Sequence, residues 1–270
     1  MCRMLDVSRA RYSQWRRQPR SAHAARDAVL VPKIRVAFAQ AKRRYGSPRV
    51  RDELRADGEY VSGKRVARLM RREGLRAKRA RRLRVTTHSA HAWPIAPNLV
   101  ARPFRVSEVN RVWGADMTFL PTREGWLYLA VIADLCSRRV IGWALSARLD
   151  HVLALRALDM AIAQRQPPRG VIHHSDRGSP YASHAYRARL AAHGFVCSMS
   201  RAGDCWDNAM IESLFATLKT ELDVAIWPSR DAARADVVEF LEGWYNRRRR
   251  HSALGSLSPV EFERQLQIAA

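Results

Sequence analysis

The sequence predicts a small all-α region followed by an α/β domain. Three observations predict it: an apolar stripe at helical spacing near the N-terminus, strand-like runs from about residue 112 onward, and an uneven division of charge. The chain has 270 residues and a net charge of +23. Residues 1–110 hold 28 Lys and Arg against 8 Asp and Glu, a net of +20, whereas residues 111–270 hold 20 against 17, a net of +3. So basic a first region binds polyanions, because neutralised phosphates release condensed counterions. The second has the charge balance of an ordinary globular domain. An apolar fraction of 47% is enough for a packed core. No run approaches the roughly 20 apolar residues of a membrane span, and residues 1–20 lack the continuous apolar stretch of a secretory leader. The four cysteines, Cys2, Cys136, Cys197 and Cys205, form neither a CxxC pair nor a zinc pattern, which fits reduced thiols in the cytosol.

The elements follow in order. Ile34, Ala37, Phe38 and Ala41 fall at i, i+3, i+4 and i+7 and predict an amphipathic helix. Tyr45-Gly46 breaks it, and Ser47-Pro48 reads as an N-cap with proline at the first helical position. A third helix runs from Ser62 to Gly74, burying Val66, Leu69 and Met70 and presenting Lys64, Arg68, Arg71 and Arg72 on another face. Three short helices with a basic last one suggest a helix-turn-helix-like module over 1–76 that contacts DNA. Residues 77–109 read as an extended basic linker: Lys78 to Arg84 is nearly all basic, with Arg79, Arg81 and Arg82 placed to track a phosphate backbone, and Pro94, Pro97 and Pro103 follow.

The α/β domain is expected over 110–270. Residues 112–119 alternate, with Trp113, Ala115, Met117 and Phe119 on one side and Gly114, Asp116 and Thr118 on the other, as in a half-buried strand. Residues 126–133 are almost continuously apolar, as in a central strand, and Val140 to Leu145 make a third. A helix from about Asp150 to Gln164, a short strand from Val171 to Ser175 and further helices complete a mixed α/β sheet.

Three acids stand out by position. Asp116 is mid-strand, opposite the large apolar side chains. Asp176 ends the strand in His173-His174-Ser175-Asp176-Arg177-Gly178, where Gly178 permits a sharp turn. Glu212 lies in a helix from about Asp207 to Leu222, whose buried stripe is Ile211, Leu214, Phe215, Leu218 and Leu222. Lys219 is two turns on and points the same way as Glu212. Phosphodiester cleavage needs an activated nucleophile and a stabilised leaving oxyanion, which two Mg²⁺ ions about 4 Å apart supply. Carboxylates from separate elements could hold such ions. The residues alone leave open which of the 25 acids converge. Asp134 precedes a turn, where capping and salt bridging account for it. His173 and His174 have no companion ligands for zinc and read as packed or hydrogen-bonded.

Between the acids at 176 and 212 stand 35 residues. This resembles the DDE transposase and retroviral integrase superfamily, whose last two acids show that spacing. The flanks more specifically resemble the second-reading-frame (OrfB) transposases of bacterial insertion sequences, through WGADMTFL at 113–120, DLCSRRVIGWAL at 134–145, HHSDRGSPYAS at 173–183, CWDNAMIESLFATLKTE at 205–221 and WYNRRRRHSALGSLSPVEFE at 244–263. The resemblance covers about 30–270. It implies a ribonuclease H-like integrase catalytic core with a mixed five-stranded sheet, preceded by a helix-turn-helix-like region. It makes Asp116, Asp176 and Glu212 the catalytic metal ligands and Lys219 a DNA contact, while Asp207 and Asn208 match an Asp-Asn-Ala stretch that shapes the helix start. Pro180 stands where the family often has glutamine, and Ser256 where an aromatic residue is common before Leu-Ser-Pro. Neither departure touches the acids.

The implied activity is metal-dependent strand cleavage and strand transfer at insertion-sequence ends, with Mg²⁺ as cofactor and Mn²⁺ able to substitute. A water attacks a phosphodiester, and the freed 3′-hydroxyl attacks another strand in line with no covalent enzyme intermediate. The implied partners are terminal inverted repeats and target DNA, an upstream-reading-frame (OrfA) protein or a frameshift fusion with it, and further copies of the chain on DNA. Met1 to Arg17 reads as an abbreviated start. The expected location is the bacterial cytoplasm, at the nucleoid when bound to DNA. One alternative is a catalytically inactive or domesticated DNA-binding regulator, which has no need of all three acids. A simple ribonuclease H-type nuclease has no need of the basic N-terminal region.

Overall fold

A computed structural model describes residues 2, 4, 6–17, 21–78, 95–100, 106–200 and 209–269. The chain divides into two compact units, Met1–Arg79 and Ala80–Ala270.

The first unit is helical: α1 (Arg9–Arg17), α2 (Ala22–Gln40), α3 (Ser47–Ala56) and α4 (Gly63–Arg72). The stripe expected around Ile34 to Ala41 belongs to a helix of 19 residues, longer than the short helix expected, and Ile34, Ala37, Phe38 and Ala41 are all buried. They meet Val50 and Leu54 from α3 and Val66, Leu69 and Met70 from α4 in one small core. Ser62 caps α4 as expected, its side chain accepting from the Arg65 N–H. Ser47 does not cap α3. The N-cap is Gly46, without a side-chain bond, and Ser47 is already helical; Pro48 supplies the pre-set φ of the first turn.

The second unit is built on one five-stranded sheet in the order β3-β2-β1-β4-β5. The strands are β1 (Val112–Thr122), β2 (Gly125–Asp134), β3 (Val140–Ser146), β4 (Ile172–Ser175) and β5 (Val196–Met199). The first three form an antiparallel meander, while β4 and β5 add in parallel beside β1 after helical crossovers. Those crossovers are α5 (His151–Arg165), capped by Asp150, then α6 (Ser179–Ala182) and α7 (His184–Ala192). The sheet then gives way to α8 (Ala209–Leu222), α9 (Arg230–Val238), a π-helical turn over Glu239–Tyr245 and α10 (Pro259–Ala269).

Strand β1 is central, not half-buried at one face of the sheet. Its Trp113 and Ala115 join Ala130, Ile132 and the α5 residues Leu153, Ala157, Leu158 and Ala161 in the main core. On the other face a side chain at Gly114 would strike Leu135 at 2.7 Å and Ile211 of α8 at 3.1 Å. With helices on both faces, alternation in polarity no longer tracks burial.

The segment 95–100, read from sequence as part of an extended linker, lies on the β5 edge. The Met199 N–H donates to the Pro97 carbonyl (3.4 Å), the Leu99 N–H donates to Ser198 Oγ (2.9 Å), and Val100 is buried. This covers an edge that would otherwise present unpaired backbone groups. Arg79, Arg81, Arg82, Pro94 and Pro103 lie outside the described residues.

Candidate active site

The β1–β4 register decides where the first two acids stand. Val112 to Ala115 pair with Ile172 to Ser175 in parallel, Ala115 opposite Ser175. Asp116 and Asp176 are the next residue on each strand. In parallel pairing, residues at one level project to the same face, so the two carboxylates come side by side where β4 ends. Asp116 Oδ1 accepts from the Met117 N–H (2.7 Å), and Asp176 Oδ1 accepts from the Gly178 N–H (2.9 Å).

The electrostatics agree with this proximity. Burial pushes the Asp116 carboxyl well above the usual carboxylate range. Asp176, and more weakly Glu212, push the same way, while the Met117 N–H and Lys219 oppose. Glu212 sits in the first turn of α8, exposed overall, with its carboxyl raised by partial burial. Lys219 is lowered by burial and held up by Asp116. Asp116 therefore feels both α8 groups that the sequence places on one helix face. Asp116 and Asp176 are the close pair. Among the described residues no group of three His, Cys, Asp or Glu lies at metal-ligating spacing. Asp207 and Asn208 lie outside the described residues.

Gly178 has a different role from the sharp turn its type suggests. Its φ of −61° and ψ of 143° are open to any residue. What glycine provides is room, since a Cβ there would lie 2.9 Å from Asp176 Oδ1.

Several singled-out residues prove architectural. Asp134 is fully buried and accepts from the N–H groups of Asn110, Cys136 and Ser137 (2.6, 2.9 and 3.1 Å), capping the turn after β2. His173 Nε2 meets Tyr186 Oη and His174 Nδ1 meets Ser198 Oγ, both at 2.9 Å. Burial, then the neighbouring His174, drives the pKa of His173 down to about 3. It therefore stays neutral.

Sequence reading missed the polar back of α8. The fifth member of its buried stripe is Glu221, not Leu222. Glu221 accepts from Arg249 Nε (2.8 Å) and Trp244 Nε1 (2.8 Å). The signal lay in WYNRRRRH, where a conspicuous arginine run supplies one buried partner. Asn246 from the same stretch accepts from the Val140 N–H and donates to its carbonyl (2.9 and 2.8 Å), pinning the start of β3.

In the helical unit three acids, Asp27, Glu59 and Glu73, tie α2 to the α4 segment and the turn before it. Asp27 of α2 accepts from Arg65 Nε and Arg68 Nη2 of α4, both at 2.7 Å. Glu59 pairs with Arg26 and Lys33, and Glu73 with Arg35 and Arg72. Of the predicted DNA-contacting residues, Arg68 and Arg72 thus share their charge within the unit. Lys64 and Arg71 are exposed and form no ion pair among the described residues.

A helical module rich in exposed cations and an integrase-type sheet carrying paired aspartates define a class of DNA-processing protein with a ribonuclease H-like core. The comparisons with known proteins agree. The family model described as Integrase core domain matches residues 106–205, a second so described matches 193–259, and an HTH-like domain matches 24–82. Transposase InsF for insertion sequence IS3A of Escherichia coli K12 is 45% identical, over 97% of this chain and 92% of its own length. A 31 kDa protein of insertion element IS600 from Shigella sonnei is 42% identical over the whole of both chains. Among solved structures, the simian T-cell lymphotropic virus intasome is similar at a TM-score of 0.49 and 18% identity, covering 65% of this chain and 60% of that one. The chain belongs to the InsF-type insertion-sequence transposases, with an integrase core. No helix among the described residues is long and apolar enough to cross a membrane.

Proposed function

We propose that Asp116, Asp176 and Glu212 hold divalent metal and cleave and join DNA strands at the ends of an insertion sequence. The observation that carries this reading is the level placement of Asp116 and Asp176 on adjacent parallel strands, with the Asp116 carboxyl raised by burial and by its neighbour. The donor set fits a hard cation: carboxylate oxygens suit Mg²⁺, and a cation would relieve the repulsion between the two acids. Held there, two such ions, Mg²⁺ or in its place Mn²⁺, would supply nucleophile activation and stabilisation of the leaving oxyanion.

The chain's own residues orient. Asp116 on β1 and Asp176 just past the end of β4 present their oxygens side by side, and Glu212 would complete the donor set from the first turn of α8. Lys219 offers a cation to a phosphate beside Asp116. Duplex DNA is gripped by the helical region 1–76, chiefly through Lys64 and Arg71, with Arg68 and Arg72 at the margin of the contact. Arg79, Arg81 and Arg82, in the basic run after that region, add further contacts to DNA phosphates. Both element ends must be handled together, which calls for several copies on DNA and for the OrfA protein or a fusion with it. The setting is the cytoplasm and its nucleoid.

The test is cleavage and strand transfer on a labelled duplex carrying the element's terminal repeats, with the upstream-frame protein supplied, in Mg²⁺ and in EDTA. Metal-dependent 3′-hydroxyl ends and joined products, lost in Glu212→Gln, are expected. Salt-sensitive binding without cleavage in any metal would favour the inactive regulator. Unchanged activity in Glu212→Gln would sink the site assignment.

A further inference from the structure

The hairpin between β1 and β2 carries a feature that strand cleavage leaves unused. Trp126 is 48% exposed, whereas Trp113, Trp227 and Trp244 are buried. An indole left in water forgoes the burial that its size would reward. Its placement is nonetheless defined. The Trp126 ring meets the Phe119 ring edge-on, with centroids 4.9 Å apart and planes at 80°. Lys219 Nζ lies 4.9 Å from the centroid of the same Phe119 ring, a cation–π contact. Lys219 is in turn close enough to Asp116 to feel its charge.

An exposed indole, an aromatic brace and a lysine thus form a row leading to the paired aspartates. Phe119 is three residues beyond Asp116 on β1, and Trp126 pairs with Pro121, five beyond. At about 3.3 Å per residue these are roughly 10 and 17 Å along the strand, the reach of a few nucleotides. These odd steps put the rings on the face opposite Asp116, and Lys219 links the two faces where β1 runs on past its last pairing with β4. Arg230 meets the backbone of Trp126, its Nε donating to the carbonyl (3.3 Å), and Arg123 is exposed on the same hairpin. Aromatic faces interleaved with cations suit single-stranded nucleic acid, because every base has a π-face and every link a phosphate.

We infer that Trp126, braced by Phe119, stacks on an unpaired base of the strand being processed, while Lys219 takes a phosphate between that base and the acids. The inference rests on the acid-site reading for where the strand lies. It predicts that the protein prefers a frayed or single-stranded extension to a closed duplex end.

The test uses the full chain in EDTA, so that no strand is cut. The probes are a short duplex with an unpaired 3′ extension carrying 2-aminopurine, and the same duplex with a blunt end. Wild type and Trp126→Phe are expected to quench the 2-aminopurine, and Trp126→Ala is not. Trp126→Ala is expected to lose about 5- to 150-fold in affinity for the extended duplex, with blunt-end affinity unchanged. Equal loss on both probes, or no loss on either, overturns the inference. So does a change of oligomeric state in Trp126→Ala with DNA binding intact, which would make the indole a protein contact. Asp116→Asn separates this from the acid site. Quenching that persists while cleavage in Mg²⁺ is lost supports both, and cleavage retained in Asp116→Asn refutes only the acid assignment.

Discussion

Asp116 and Asp176 stand level on adjacent parallel strands, one residue past the Ala115–Ser175 pair that closes the β1–β4 register. Two carboxylates so placed resist being charged together, and the Asp116 carboxyl is raised, first by burial and then by Asp176. A carboxyl raised in the folded state contributes stability that is fully present below its unfolded pKa of about 3.9 and is lost as pH rises through the folded value. At neutral pH without divalent metal, the raised carboxyl of Asp116 therefore opposes folding. Asp116→Asn is expected to raise the unfolding midpoint by a few degrees while abolishing strand cleavage. Added Mg²⁺ is expected to stabilise wild type more than the variant. Calorimetry across pH checks both, and a lower midpoint for Asp116→Asn at neutral pH would refute the electrostatic account.

Gly178→Ala tests the seat of Asp176. The backbone there suits alanine, with φ at −61°, so little stability should be lost. The new Cβ would sit 2.9 Å from Asp176 Oδ1 and must move that oxygen. A shift of about 1 Å in a reacting geometry costs on the order of 100-fold in rate. Single-turnover cleavage should fall by that order with the unfolding midpoint nearly unchanged. Full activity would mean that Asp176 does not act from this position.

How much was legible in the sequence depended on the kind of signal. Long apolar runs such as 126–133 and the helical stripe at Ile34 to Ala41 announce themselves, because burial on a regular element imposes a period. The four residues of β5, Val196–Met199, do not. They are too short to show a period, and Val196 is exposed while Ser198 is buried. The placement of Asp116 was visible as a polar residue interrupting an apolar strand, but its partner in space is fixed by strand register, which local sequence does not encode. Asn246, Arg249 and Glu221 read as surface residues by type, since only tertiary pairing makes burial of such groups tolerable. The docking of 95–100 on the β5 edge was hidden for a related reason: its bonds use backbone groups, which every residue has.

Asp27 offers the opposite sign of pH dependence. Hydrogen bonds from Arg68 and Arg65 hold its carboxyl below the usual range. A depressed folded pKa contributes stability that is present above the unfolded value and lost as pH falls through the folded one. Asp27→Asn should therefore lower the unfolding midpoint of the helical unit at neutral pH, and the difference from wild type should fade in strong acid. The substitution also releases Arg65 and Arg68 from their shared partner, so DNA affinity in EDTA should hold or rise at low salt. A midpoint difference that persists unchanged below the depressed pKa would show that the latch acts through packing alone.

Glu221 lies nine residues beyond Glu212 on α8, which at about 100° per residue is the opposite side of the helix. The helix thus offers Glu212 and Lys219 on one side while Glu221 is gripped on the other by Arg249 and Trp244. Both members of the ion pair have side chains less than a tenth exposed. Removing one charge strands the other in the interior, so Glu221→Ala is expected to cost about 3–5 kcal/mol, whereas replacing both with apolar residues of similar size should cost little. The double variant Glu221→Met with Arg249→Leu removes both charges but leaves the Trp244 N–H without its acceptor, at a cost of about 1–3 kcal/mol, and is therefore expected to unfold between wild type and Glu221→Ala. If the pair also sets the angle of α8, cleavage by this variant falls through kcat while DNA affinity stays constant. If the pair only holds the fold, the double variant cleaves like wild type. Chemical denaturation and single-turnover cleavage of the two variants decide between these outcomes, and a double variant as unstable as Glu221→Ala would overturn the charge-pair account altogether.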